Sequence, residues 1–152
     1  MIGIGANLDH PADRVRGALK ALAGLPESRL EAVSGLYRSV PVDAAGPDYF
    51  NAVARVQTCL TAPDLLRQLQ RLEFLAGRQR PYRNAPRTLD LDLLFFGDAS
   101  MASPALALPH PRWRERAFVL WPLAELVPAR VNEVDRARVA DQPIVRVSDL
   151  SD

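Results

Sequence analysis

The run RTLDLDLLFFG, Arg87 to Gly97, repeats with period two, and it carries two Asp where a strand rarely tolerates them. Alternate residues of a strand share a face. Asp90, Asp92, Leu94 and Phe96 therefore share one side. Leu89, Leu91, Leu93 and Phe95 share the other, predicted to pack into the core. The two carboxylates would stand about 6–7 Å apart at Cβ, from a rise of about 3.3 Å per residue. Carboxylates so placed repel one another unless protonated or bridged by cations. Hard oxygen ligands on one rigid strand suit Mg²⁺, which one or two carboxylates and substrate phosphates usually hold. A strand with one solvated face would also accept Asp-X-Asp. The apolar Leu94 and Phe96 beside the pair argue against free solvation.

The segments around this strand set its context. Met1–Leu8 reads as a strand ending in a turn, and Pro11–Leu22 as a helix with Val15, Ala18, Leu19 and Leu22 on one face. Arg29–Arg38 and Tyr49–Thr58 read as strands. Thr61 with Asp64 three positions on marks a helix start, and that helix carries Leu65, Leu66, Leu69, Leu72 and Leu75 before stopping near Gly77. A polar, Arg-rich loop, Arg78–Pro86, leads into the Asp-bearing strand, which ends in a turn at Gly97–Ser100. LPHPRWRERAFVLWPLAEL then returns through a Pro-rich connection into a short helix. After Pro128 the pattern weakens, and nothing divides residues 1–152 into more than one domain. Strand, helix, strand, strand, helix, strand is the order of the split β-α-β motif. It predicts an α+β fold with helices on one face of the sheet.

Composition narrows the function. A net charge of +1 argues against nucleic-acid binding by bulk charge. Lys20 is the only lysine, so the basic residues are nearly all Arg, whose planar fork suits phosphate. Cys59 stands alone and excludes a disulfide framework; it is expected to be a small buried hydrophobe at a strand end. No apolar run reaches membrane length, and MIGIGANL lacks the basic start of a signal peptide, so a cytoplasmic location is expected. There is no P-loop, and Gly3-Ile4-Gly5 is too short for a dinucleotide fingerprint.

Arginines bracket the Asp pair. Arg78, Arg80, Arg83 and Arg87 lie upstream; His110, Arg112, Arg114 and Arg116 lie downstream. Any one of them could be a solvated surface residue. Together with two carboxylates they form what ATP chemistry needs: oxygen ligands for a cation and guanidiniums for phosphate charge.

PRTLDLDLLFFG closely resembles the signature of the 6-hydroxymethyl-7,8-dihydropterin pyrophosphokinase family of folate biosynthesis. GIGANL, LYRSVPV, PDYFNAV, QRLEFLAGR and LPHPRWRERAFVLWPL resemble the same family, in the same order, over about Met1 to Pro128. The resemblance implies a ferredoxin-like α+β sandwich: a largely antiparallel sheet with helices packed on its faces. It implies transfer of the β,γ-pyrophosphoryl unit of ATP to the pterin hydroxymethyl group, with AMP released. By motif position, Asp90 and Asp92 would hold two Mg²⁺ ions, and Arg78 and Arg87 would contact phosphates and the charge that develops. Arg80 and Arg83 would belong to a loop that closes over ATP, and His110 and Arg116 match later ATP-binding positions. Gln70 and Glu73 share a helix face and match positions near ATP, although an ordinary polar helix face would look the same. For the pterin, Tyr49 and Phe118 would be stacking walls, and Asn51 would offer donor and acceptor to the ring edge. Backbone groups around Ser39, Val40 and Val42 would read the rest of that edge. Tyr49 and Asn51, two apart in a strand, face the same side, where an unpaired Asn would be costly.

Asn84 and Ala85 stand where many relatives have Trp and Gly, which removes an aromatic loop residue. The expected partners are ATP and the pterin, with neither nucleic acid nor membrane, and the family expectation is a monomer. Two other functions fit an Asp-X-Asp strand: another Mg²⁺-dependent nucleotidyltransferase, and a non-catalytic pterin- or nucleotide-binding module.

Overall fold

Ile2, Ile4 and Ala6 alternate with Gly3 and Gly5, and all five are buried, because β1 (Ile2–Ala6) runs through the middle of a sheet. The computed structural model describes residues 1–41, 46–77 and 89–150. Among these, β1 pairs antiparallel with β4 (Tyr49–Thr58) on one side and with β5 (Asp90–Leu93) on the other. β4 then pairs antiparallel with β2 (Ser28–Val33) and β3 (Leu36–Ser39). The sheet order is β5-β1-β4-β3-β8, with β2 also on β4, so β4 is inserted between β1 and β3 as the split β-α-β motif requires. A small two-stranded hairpin of β6 (Met101–Ala102) and β7 (Ala107–Leu108) lies outside this sheet and packs Leu108 into the same core as Ile2 and Ile4.

The strand expected over Arg29–Arg38 is two strands. At the break, Ser34 Oγ accepts the Val53 N–H at 2.9 Å and donates to the Gly35 carbonyl at 2.8 Å. A side chain has taken a ladder position that the backbone would otherwise fill.

α1 (Pro11–Ala23) buries Val15, Ala18, Leu19 and Leu22, as its spacing predicts. α2 (Ala62–Ala76) starts where Thr61 Oγ1 accepts the Asp64 N–H at 3.2 Å. Its apolar stripe is narrower than expected: Leu65 and Leu69 are buried, Leu66 and Leu72 are half-buried, and Leu75 is exposed. Both helices cover the sheet face formed by Ile2, Ile4, Ala52, Ala54, Leu91 and Leu93.

Helices do not keep to that face. α3 (Ala117–Leu126) lies on the other one, packed with Val53, Leu94, Phe95 and Trp113. It is apolar on nearly every side because it is covered twice, by the sheet and by the segment carrying Val131 and Val139. That segment holds α4 (Glu133–Arg138), capped by Asn132, whose Oδ1 accepts the Asp135 N–H at 2.8 Å. β8 (Ile144–Ser148) then extends the sheet beside β3.

Two further expectations are corrected. Alternation along the Asp-bearing strand stops at Leu93, because the N–H groups of Leu94 and Phe95 both reach the Met1 carbonyl, at 2.9 and 3.4 Å, and the chain turns. Phe95 therefore joins Leu94 in the second core, edge-on to Trp113 at 4.9 Å, while Phe96 packs against the first. Cys59 is exposed: it lies one residue beyond β4, where its N–H bonds to Glu27.

Glu125 of α3 ties the second face together. Its carboxylate accepts the buried Gly35 N–H at 3.1 and 3.2 Å, the Tyr37 hydroxyl, and Arg146 of β8 at 3.3 Å. Burial pushes the Glu125 pKa up, but the bonds from Tyr37, Arg146 and Gly35 outweigh it and hold the group below the ordinary glutamate range. Burial and the bond to Glu125 raise Tyr37 to about 12. A depressed carboxyl stabilises the fold above its unfolded pKa and loses that contribution as pH falls through the folded one. Glu125→Ala is expected to cost about 1–3 kcal/mol by leaving a buried N–H and a hydroxyl unpaired. Urea unfolding at pH 7 measures this. Repeated toward pH 4, it should show a smaller difference between wild type and variant, and an unchanged difference would mean the carboxylate charge is not what binds these groups.

Candidate active site

The register of three strands builds the floor of one cavity. Asp90 pairs with Gly5 and Gly5 with Asn51, which pairs in turn with Tyr37; Asp92 pairs with Gly3 and Gly3 with Val53. Paired residues point to the same face. Gly3 and Gly5 therefore put no side chain of β1 between the carboxylates of β5 and the side chains of β4, and Leu94 packs against Gly3, where a Cβ would meet it at 3.4 Å. A Cβ on Gly5 would come within 3.1 Å of Asn51 Nδ2, so that side chain lies almost on the glycine. Gly3 and Gly5 serve as floor, a role visible only once β1 is known to be central.

The cavity above this floor has a volume of about 310 Å³. Of the residues singled out from the sequence, Ser39, Val40, Tyr49, Asn51, Asp90, Asp92, Arg116 and Phe118 all line it. Arg112 and Glu115 line it too. Neither was named as a site residue, although Arg112 belonged to the downstream basic group. Arg114 of that group turns away: its guanidinium binds Asp135 at 2.9 Å and lies 4.4 Å from the centroid of Trp113.

Ser39 Oγ donates to Asn51 Oδ1 at 2.8 Å, and both residues are buried. This occupies one lone pair of the amide oxygen and leaves its NH₂ to serve the cavity. The oxygen keeps a second lone pair, so the bond from Ser39 leaves the expected donor and acceptor roles of Asn51 open. Arg116 Nη1 stands 3.9 Å from Asp92 Oδ2, and its guanidinium lies 5.4 Å from the centroid of Phe118.

His110 follows Pro109, which is joined to Leu108 by a cis peptide bond. Its N–H donates to the Leu94 carbonyl at 2.9 Å, and its Nδ1 accepts the Arg112 N–H at 3.1 Å. The neutral ring therefore carries its proton on Nε2. Burial lowers its pKa; Asp92 opposes this, and Arg116 and Arg112 add to it. His110 is not among the cavity-lining residues. On α2, Gln70 is exposed, and the Glu73 carboxylate accepts the Leu91 N–H at 2.9 Å, between the two Asp of β5. Val42, Arg78, Arg80, Arg83 and Arg87, and the substituted Asn84 and Ala85, lie outside the described residues.

The donor set fits a hard cation. Asp90 and Asp92 are half-buried on the cavity side of one strand. Among the described residues no cluster of three or more His, Cys, Asp or Glu gathers at metal distance. A cation here would take protein ligands from the Asp pair and the rest of its shell from water or ligand oxygens, a pattern that suits Mg²⁺.

Carboxylates, a guanidinium and two aromatic walls around one cleft define an α+β sandwich suited to an anionic ligand with a flat ring. The chain belongs to the 7,8-dihydro-6-hydroxymethylpterin-pyrophosphokinase family, whose model matches residues 1–128. It is similar to three bacterial proteins named 2-amino-4-hydroxy-6-hydroxymethyldihydropteridine pyrophosphokinase. That of Pseudomonas aeruginosa is 47% identical over 128 residues, covering 84% of this chain and 79% of the relative. That of Haemophilus influenzae is 40% identical over 126 residues, 82% of this chain and 79% of the relative. That of Methylorubrum extorquens is 40% identical over 140 residues, 91% of this chain and 89% of the relative.

Ser39→Ala would leave the Asn51 oxygen without its donor. The expected loss is about 1–3 kcal/mol of stability, the cost of an unsatisfied buried acceptor. Urea unfolding tests it, and a variant as stable as wild type would mean the Asn51 amide is not held by this bond.

Proposed function

We propose that this cavity is where the chain performs its family's reaction. The chain is a pyrophosphokinase of folate biosynthesis, using ATP to pyrophosphorylate 6-hydroxymethyl-7,8-dihydropterin. The observation that carries the placement is the meeting, in one cavity floored by Gly3 and Gly5, of the Asp pair of β5 with Tyr49 and Asn51 of β4.

The pterin lies between Tyr49 and Phe118, with the Asn51 NH₂ donating to its edge and backbone groups near Ser39, Val40 and Val42 completing that edge. ATP lies on the β5 side, its triphosphate toward Arg116. Arg78, Arg80, Arg83 and Arg87 serve the phosphates, with Arg78 and Arg87 nearest the charge that develops, and His110, Gln70 and Glu73 complete the ATP side. Mg²⁺, two ions in this reading, held by Asp90 and Asp92, would neutralise phosphate charge and align the attacking and leaving oxygens. The pterin hydroxymethyl oxygen bonds to the β-phosphorus, the bond from that phosphorus to the α,β-bridging oxygen breaks, and AMP departs with that oxygen. The hydroxyl proton passes to water. No covalent intermediate on the protein is needed, so positioning supplies much of the rate.

In the same reading residues 1–152 form one domain that works as a cytoplasmic monomer. A sheet running from β1 to β8 supports the single domain. Among the described residues no helix is long and apolar enough to cross a membrane.

Incubation with ATP, Mg²⁺ and the pterin, with nucleotide products resolved, tests the reaction. AMP that forms only when pterin is present is expected. Pyrophosphate would indicate a nucleotidyltransferase, ADP a simple phosphoryl transfer, and no turnover a binding module. Asp92→Ala should lower turnover on the order of 10²–10³-fold or more, the scale of losing one aligned charge-stabilising group. A variant that keeps most of its rate would remove the cation from this strand.

A further inference from the structure

The segment that presents Arg116 and Phe118 to the cavity is held from outside the part of the chain that the family model matches, which ends at residue 128. The Arg112–Phe118 stretch is a single 3₁₀ turn, Trp113–Glu115, running into the start of α3. Arg116 sits at the junction with extended backbone, and no side chain of its own segment caps the helix there. Trp113 and Ala117 anchor this stretch in the second core, but the Glu115 carbonyl and the Ala117 N–H find no side-chain partner within it.

Residues from 132 onward supply what is missing. The Gln142 side chain spans Arg116: its Nε2 donates to the Glu115 carbonyl at 2.8 Å, and its Oε1 accepts the Ala117 N–H at 2.9 Å. A carbonyl only accepts and an N–H only donates, so both ends of the amide are matched. Two residues before Arg116, Arg114 Nη1 donates to both carboxylate oxygens of Asp135, at 2.9 and 3.1 Å. The Asp135 end of this anchor is buried, at 2% exposed, while the Arg114 side chain is half exposed. The residues on either side of Arg116 are thereby fixed while its guanidinium stays free to face Asp92.

We infer that Gln142 is a positioning residue for nucleotide binding: it clasps the peptide groups flanking Arg116 and so aims Arg116 at the phosphates. Asp135, through Arg114, is the second point of the same clasp. The inference rests on the proposed role of Arg116 at ATP.

The test is calorimetric titration of the full chain with α,β-methylene-ATP and Mg²⁺, with thermal unfolding recorded for each variant. Arg116→Ala alone checks the underlying reading: if it binds the analogue as tightly as wild type, the role of Arg116 fails before the clasp is considered. Given a loss there, Gln142→Ala should weaken binding about three- to tenfold, the scale of one or two net hydrogen bonds. Gln142→Met keeps length and packing while removing both bonds, and should show the same loss. Combined with Arg116→Ala, either change should weaken binding no further. Unchanged affinity in the Gln142 variants, wild-type affinity in Gln142→Met alone, or an equal further loss on the Arg116→Ala background would each overturn the inference, the last by making Gln142 a general support of the fold.

Discussion

β1 is hydrogen-bonded along both edges, to β4 through five residue pairs and to β5 through four, and its two faces differ sharply in size. Ile2, Ile4 and Ala6 press into the layer formed with α1 and α2. Gly3 and Gly5, on the reverse, carry nothing. The first face fixes the strand in place, since shifting it by one residue would send isoleucines into the cavity and glycines into the core. The site exists because that register is held. β5 inherits it, so Asp90 stands opposite Gly5 and Asp92 opposite Gly3.

Much of this was legible in the residues. The four apolar positions of α1, the Thr61 cap of α2 and the bounds Tyr49–Thr58 follow from periodicity and capping chemistry, which are local. What escaped depended on distant partners. Nothing near Ser34 announces that its hydroxyl will take the Val53 N–H and split a strand. Nothing near Phe95 announces that the Met1 carbonyl will draw in two successive N–H groups and end the alternation. β8 was hidden because an edge strand with Val145 and Val147 exposed has no two-faced pattern to read.

The site shows the same division. Strand residues two apart were read as neighbours, and Tyr49 with Asn51, and Asp90 with Asp92, do line one cavity. The downstream arginines could not be sorted by spacing, because a 3₁₀ turn and a helix start do not repeat regularly. Arg112 and Arg116 face the cavity, whereas Arg114 is committed to Asp135 and Trp113. Other arginines are similarly spent on aromatic faces, Arg130 over Phe95 at 4.3 Å and Arg136 over Trp121 at 4.9 Å. An arginine-rich composition thus serves structure as well as phosphate.

The glycine floor has a thermodynamic side. Peptide groups locked into a central strand have no rotamers to freeze, and the aromatic walls Tyr49 and Phe118 have only two torsions each. A flat ring laid against them loses its own freedom and little of the protein's. Binding free energy that longer side chains would surrender as conformational entropy stays available for holding the reacting groups in line.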